Sequence, residues 1–298
     1  MQFGKFNTEV AMAQLNNLFD IKEILKRRGL EITGYENSSK LLFDPNSHKV
    51  DEYYNSYCSD SFRRIISFVA NSMDGKDLKS IREHFHYYEP EKIDENLSKA
   101  IGYGMISKDD SYFRSRNSNN FGPTLEWFIC SVFIRELGCI AYWGVDVKDL
   151  PFDYDVLLTR DNQLGYIECK SANSNNITKG DIKEFLSRRS LLAPKFSIFL
   201  VDGAGKDRLI NLAEWAKELS SSYRVEHPEI MYTDVTINIE EYKHFYRLVP
   251  INLFFVSANN EIIKPLQNIF KFLTQVCDSI SYGENHGAKE SFGLVKEN

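Results

Sequence analysis

The chain has 298 residues and a formal net charge of −6; the length suggests two domains, and the charge excludes a global basic field, so any nucleic-acid surface must be local. An apolar content of 43% supports sizeable cores and excludes disorder throughout; with neither a basic-plus-apolar leader nor a run of about 18 apolar residues, a cytoplasmic protein without a membrane span is expected. Cys58, Cys130, Cys139, Cys169 and Cys277 include no C-x-x-C pair, which excludes a disulfide framework or a zinc site of that type and leaves reduced, mostly buried thiols.

Residues 1–58 carry no legible chemistry. Leu15, Leu18, Ile21, Ile24 and Leu25 have helical spacing that Gly29 would stop, and two strand-like runs follow at Glu31–Thr33 and Lys40–Phe43. This segment is left for packing, or for contact with a partner or activator. Residues 59–120 change character. Stripes at Phe62/Ile65/Ile66/Val69, Leu78/Ile81/Phe85 and Ile93/Leu97/Ala100 predict three short helices, followed by a hairpin with Asp109-Asp110 at its tip, a winged-helix-like order. Such a module would place its third helix in a DNA groove. Yet Glu89, Glu91, Asp94 and Glu95 outnumber Lys92 and Lys99 there, and residues 59–116 hold ten basic against ten acidic side chains, so a spacer or protein-contact module is the better reading. Arg114 and Arg116, read as part of the polar linker Ser115–Asn120, remain candidates for a backbone phosphate.

Gly122-Pro123 opens the third segment, 121–283. Thr124 is expected to cap a helix running to Leu137, with Gly138 as its stop. The helix is apolar nearly all round, apart from Glu126 in a stripe with Ile129, Cys130 and Phe133. Glu126 either favours the positive end of the helix dipole or supplies an acidic group to a site. Cys139–Trp143 then reads as a strand. Two further runs, Phe152–Thr159 and Leu164–Ser171, flank the turn Arg160–Gln163 and predict a β-hairpin. Each carries acid where a strand should be apolar: Asp155 beside Val156 and Leu157, and Glu168 after Ile167. Residues two apart share a strand face, so Glu168 and Lys170 emerge together, opposite to Ile167 and Cys169. Two carboxylates with the Cys169 carbonyl are hard oxygen donors suited to Mg²⁺ or Mn²⁺, and the lysine could orient or deprotonate a water. From these residues alone, that site and a hairpin whose Glu and Lys merely face water stand level.

Asp155 followed by Glu168-Cys169-Lys170 resembles the D…E-x-K signature of the PD-(D/E)XK nuclease superfamily, and Ile-Glu-Cys-Lys-Ser is similar to its Mrr-like and Holliday-junction-resolvase-like branches. The proline of the family name is absent, since Tyr154 precedes Asp155. The likeness covers roughly Thr124 to Asp202, a quarter of the chain. It implies an α/β restriction-endonuclease-like αβββαβ core. A helix from Thr178 to the stop at Pro194, with Ile182 and Phe185 buried, and a strand at Phe196–Val201 complete that order. It also implies catalytic roles for Asp155, Glu168 and Lys170, and a place for Glu126, since members often set a glutamate on the helix before the sheet.

The crossover helix carries Lys179, Lys183, Arg188 and Arg189, either a phosphate-binding cluster or an ordinary solvated face interspersed with Asp181 and Glu184. Beyond Asp202, a helix at Asp207–Ser220, a β-prone stretch at Ile230–Ile239, a strand at Ile251–Val256, a helix at Asn260–Ser279 and a loose tail at 284–298 are expected. The histidines show no metal-ligand pairing. The expected function is metal-dependent hydrolysis of a phosphodiester, in DNA more than RNA, in restriction or antiviral defence. A homodimer would supply the two sites that duplex cleavage needs. The competing expectation is a catalytically silent nuclease-fold scaffold that binds nucleic acid or protein through the helical module.

Overall fold

The computed structural model describes residues 20–115, 121–171, 176–226, 236–259 and 261–281. Helix α1 (Ile21–Arg27) starts where the Asp20 side chain accepts from the Lys22 amide at 3.2 Å, and the chain turns at Gly29 with φ +76°. Its expected earlier turns lie outside the described residues. Strand β1 (Ile32–Tyr35) comes next. The predicted strand at Lys40–Phe43 does not form. A 3-10 turn occupies Ser38–Lys40, and Leu41, Leu42 and Phe43 enter the core from irregular backbone. Helix α2 (Val50–Tyr57) has little stripe in the sequence. It is held because Tyr53, Tyr54 and Tyr57 pack in tilted and edge-on contacts against Phe43, Phe128 and Trp127.

The next elements are α3 (Asp60–Ala70), β2 (Lys76–Asp77), α4 (Leu78–His84), α5 (Pro90–Gly102), β3 (Ile106–Asp109) and β4 (Tyr112–Ser115). The three stripes become three helices, and β2 joins the hairpin in a small sheet of order β2-β4-β3. The acidic third helix settles its charge locally: Glu95 bonds Lys99 at 2.6 Å and Lys92 at 3.2 Å, and Asp94 bonds Arg82 at 2.7 Å.

Helix α6 (Gly122–Leu137) ends at Gly138 in the left-handed conformation, as the sequence predicts. Its start differs. The N-cap is Phe121, and the Thr124 hydroxyl, one turn inside, instead accepts from the Leu42 amide at 3.1 Å. A threonine can bond a foreign amide as well as its own helix, and the docked 41–43 segment supplies one. After α6 come β5 (Ile140–Val147), β6 (Asp153–Arg160), β7 (Gln163–Lys170), α7 (Lys179–Leu192), β8 (Phe196–Val201) and α8 (Lys206–Glu226). Helix α7 carries a Thr178/Asp181 capping box. Then β9 (Asn238–Tyr242), β10 (Phe245–Val249), β11 (Leu253–Ser257) and α9 (Ile263–Ser281) close the described chain.

This is an α/β protein with a large mixed sheet and, among the described residues, nine α-helices. The eight strands run β1-β5-β6-β7-β8-β11-β10-β9, antiparallel except where β8 lies parallel to β7 and to β11. Alternation splits the apolar side chains between two layers. Tyr166, Phe199 and Phe255 face α1, α7 and α8; Ile167, Ile198 and Phe254 face α6 and α9. The second layer continues into α2–α5 as one apolar cluster. Among the described residues no helix is long and apolar enough to cross a membrane.

A glycine interrupts the strand pairing opposite Asp155. The β5–β6 ladder pairs Trp143 with Val156 and Val145 with Tyr154, but Gly144 and Asp155 between them are unmatched, and Gly144 has φ +52°. A Cβ there would meet the Glu36 Cβ at 2.1 Å. Gly144→Ala is therefore expected to cost about 2–3 kcal/mol by combining left-handed strain with a clash. Urea unfolding measures it; a loss under about half a kcal/mol would mean that β1 and the 36–40 turn are free to shift.

Candidate active site

The β6–β7 ladder ends at Val156↔Ile167, so Asp155 and Glu168 stand just beyond the last paired residues, where the two strands fork. With its own ladder broken on the β5 side as well, Asp155 turns its carboxylate across the fork, where Oδ2 accepts from the Cys169 amide at 2.6 Å. Glu168 is 3% exposed. Its Oε1 holds Lys170 Nζ at 2.8 Å, and its Oε2 accepts from the Tyr166 hydroxyl and lies 3.6 Å from Arg188 Nη1. The predicted common face of β7 is therefore real, and it includes Tyr166 as well as Glu168 and Lys170.

Electrostatics tie Glu126 to this fork. Burial, reinforced by Asp153, Glu36 and Glu168, pushes its carboxyl up to about 8. Burial, then Glu168 and Glu126, lifts Asp155 well above the usual carboxylate range. Burial opposes the Lys170 charge, but Glu168, by charge and hydrogen bond, and Asp155 more than offset it, so its pKa lies above the ordinary value. The fork is thus a place where buried carboxylates repel one another.

Among the described residues no three His, Cys, Asp or Glu side chains already stand together as ligands; Glu168 is turned to Tyr166 and Lys170, and Asp155 to an amide. The donor chemistry nevertheless fits a hard divalent cation. Asp155, Glu168 and Glu126 are carboxylates whose mutual repulsion a cation would relieve, and the Cys169 carbonyl belongs to the same turn of chain.

Glu126→Gln gives a test by pH. A carboxyl raised from 4.5 to about 8 on folding makes the folded state less stable as pH climbs through that window, and glutamine carries no such loss. In EDTA the variant is expected to melt at the parent's temperature near pH 4.5 and above it beyond pH 8, by up to several degrees. A difference that does not change with pH would remove Glu126 from the buried cluster.

The basic candidates separate by environment. Arg188 is 13% exposed; besides Glu168 it pairs with Glu184, donates to the Asp153 carbonyl at 3.2 Å and lies over the Phe152 ring at 5.0 Å. Arg189 turns inward, donates to the Ile251 carbonyl at 2.6 Å, and burial draws its pKa down to about 10. Lys179 pairs with Glu218 at 2.8 Å on the surface, and Lys183 is exposed. Arg114 stands on β4, where it pairs with Asp109 at 3.4 Å; Arg116 and most of the polar loop after Ser171 lie outside the described residues. A cavity of about 690 Å³ at the entry to β6 is lined by four carboxylates, Glu36, Asp146, Asp149 and Asp153, against two lysines, Lys40 and Lys148. Its acidic lining does not invite phosphate.

Sequence reasoning misses Tyr166 and the inward role of Arg188. Tyr166 carries a local signal, being two residues before Glu168 on one strand. The Arg188 contact spans 20 residues and a crossover, so nothing local announces it.

No protein-family model matches the chain, and no curated protein matches it. Among solved structures it is similar to protein VC1899 from Vibrio cholerae, at 13% identity and a TM-score of 0.44, covering 87% of this chain and 61% of that one. It is also similar to Can2 from Sulfobacillus thermosulfidooxidans, solved in complex with cyclic tetra-adenylate, at 15% identity and a TM-score of 0.38, covering 68% and 60%. The chain spans about three-fifths of the length of each. Likeness this distant carries no argument about chemistry, which rests on the residues at the fork.

Proposed function

We propose that the protein is a metal-dependent nuclease that hydrolyses phosphodiester bonds, in DNA more than RNA, on a restriction-endonuclease-like αβββαβ core preceded by a winged-helix-like module. The observation that carries this reading is the meeting of Asp155 and Glu168 at the fork between β6 and β7, with Lys170 bonded to Glu168. Asp155, Glu168 and the Cys169 carbonyl would hold Mg²⁺ or Mn²⁺, with Glu126 completing the set. A bound divalent cation supplies positive charge opposite the phosphate oxygens and makes water acidic enough to attack near neutral pH.

The chain's own residues do the rest. Lys170 orients the attacking water and donates to a phosphate oxygen as negative charge builds there. Asp155 keeps the fork open by occupying the Cys169 amide, and the apolar sides of β6 and β7 exclude bulk water from behind it. Lys179 and Lys183, on the outer face of α7, are the candidates for backbone phosphates. The ion pairs of α5 argue for a module that supports or contacts protein more than one that reads bases. A homodimer, and a role in cytoplasmic restriction or antiviral defence, rest on the resemblance alone.

The test is to incubate the protein with linear, supercoiled, single-stranded and branched DNA and with RNA, in Mg²⁺, Mn²⁺ or EDTA, beside Lys170→Ala. Cation-dependent cleavage that the variant lacks is expected. Silence on every substrate together with no calorimetric Mn²⁺ binding would sink the reading in favour of a nuclease-fold scaffold.

A further inference from the structure

We infer that Arg188 is a positioning residue for Glu168: with Tyr166 it pins the Oε2 oxygen, leaving Oε1, now held by Lys170, as the oxygen that exchanges its lysine for a cation. The inference rests on the nuclease reading and adds to it a residue whose place in the sequence suggests only a phosphate-backbone contact.

The geometry divides the two oxygens of Glu168 between different kinds of partner. Oε2 receives the Tyr166 hydroxyl and faces Arg188 Nη1 at 3.6 Å, whereas Oε1 meets only Lys170 among these groups, at 2.8 Å. The two partners of Oε2 are themselves fixed. Tyr166 is fully buried and packs on Tyr154 and Phe185. Arg188 is tied to Glu184 on its own helix, to the Asp153 carbonyl at the start of β6 and to the Phe152 ring. One guanidinium therefore joins α7, the entry to β6 and the central strand β7. Lys170, by contrast, is 27% exposed at the end of its strand and carries a flexible stem, so it is the partner that can let go.

A competing effect has the opposite sign. Positive charge near a carboxylate repels an incoming cation, so removing Arg188 could tighten binding. Glu184 bears on the balance: it pairs with Arg188 within one helical turn and offsets part of that field, while among the described residues Tyr166 is the other partner of Oε2 and carries no charge. Loss of position should therefore outweigh relief of repulsion.

Calorimetric titration of Mn²⁺, with no nucleic acid present, reads the effect directly. Arg188→Gln and Tyr166→Phe are each expected to weaken Mn²⁺ binding about tenfold or more. The double variant should lose less than the product of the two, because both hold one oxygen. Arg188→Lys, which keeps the charge without the fork, should recover part of the loss. Parent-like or tighter binding by Arg188→Gln overturns the inference. Should that variant fail to fold, Tyr166→Phe, which deletes one hydroxyl, decides alone: unchanged affinity overturns the pinning of Oε2. Parent protein that binds no Mn²⁺ overturns the nuclease reading and this inference with it, whereas a binding parent beside unaffected variants overturns this inference only.

Discussion

Lys170→Ala is expected to lower cation-dependent cleavage about a thousandfold while leaving the melting temperature within a few degrees of the parent. Removing one preorganised donor from a site of developing charge costs about 10²–10³ in rate, and here the same group also orients the nucleophile. The fold should tolerate the loss because Lys170 ends β7, is partly exposed, and leaves Glu168 still held by Tyr166 and Arg188. Asp155 offers a sharper comparison. Asparagine at that position can still accept from the Cys169 amide, so Asp155→Asn should lose cleavage and cation binding without losing stability. Asp155→Ala should lose both activities and, in addition, about 1–2 kcal/mol from the orphaned amide at the fork. Single-turnover cleavage and thermal melts distinguish the pair. Cleavage by Asp155→Asn at more than about a tenth of the parent rate would exclude Asp155 from holding the cation.

Arg63 on α3 has no exposed surface, yet its guanidinium reaches Asp202 at 3.2 Å, the Tyr57 carbonyl at 2.5 Å and the Ala258 carbonyl at 2.7 Å. Asp202 comes directly after β8, and its amide donates to the Lys170 carbonyl at 2.9 Å. The arginine thus closes the ends of β7, β8 and β11 from the helical side. Arg63→Met should cost about 3–5 kcal/mol at neutral pH, since it strands a buried carboxylate and two carbonyls.

In the parent, burial raises the Asp202 pKa while Arg63 opposes the rise. Deleting Arg63 removes the opposition, so the variant's Asp202 binds its proton more tightly and the folded variant loses more stability as pH climbs above the unfolded carboxylate range. The gap between parent and variant should be narrowest near pH 4 and widest near pH 8, read by urea unfolding at both. A gap equal at the two values would mean that Asp202 already carries a proton beside Arg63.

Many of these features are legible in residue order, because the informative parts are local. Period-two alternation places Glu168 and Lys170 on one face, Thr178 and Asp181 announce the start of α7, and six successive apolar or small residues from Phe196 mark a strand covered on both sides. The failures share a different cause. Strand β10, a five-residue apolar run broken only by Arg247, has no alternation to mark it and is defined by β9 and β11 on its two sides, and Thr124 reads as a cap until the Leu42 amide arrives from 82 residues away. Arg188 looks like any solvated helix cation until the fold brings Glu168 beneath it. The break at Gly144 is the subtlest case. A lone glycine in a strand signals irregularity, but only the register shows that it faces Asp155.

The apolar cluster that begins at Leu41, passes through Phe62 and Phe128 and ends at Phe270 has no seam between the helical module and the sheet. The two therefore cannot be exchanged as parts. A chimera that took residues 59–115 from another protein would present foreign side chains to α6, and the α6 face would have to travel with them. Exposed loops can diverge freely around such a joint, while the joint itself can change only by compensated steps on both sides.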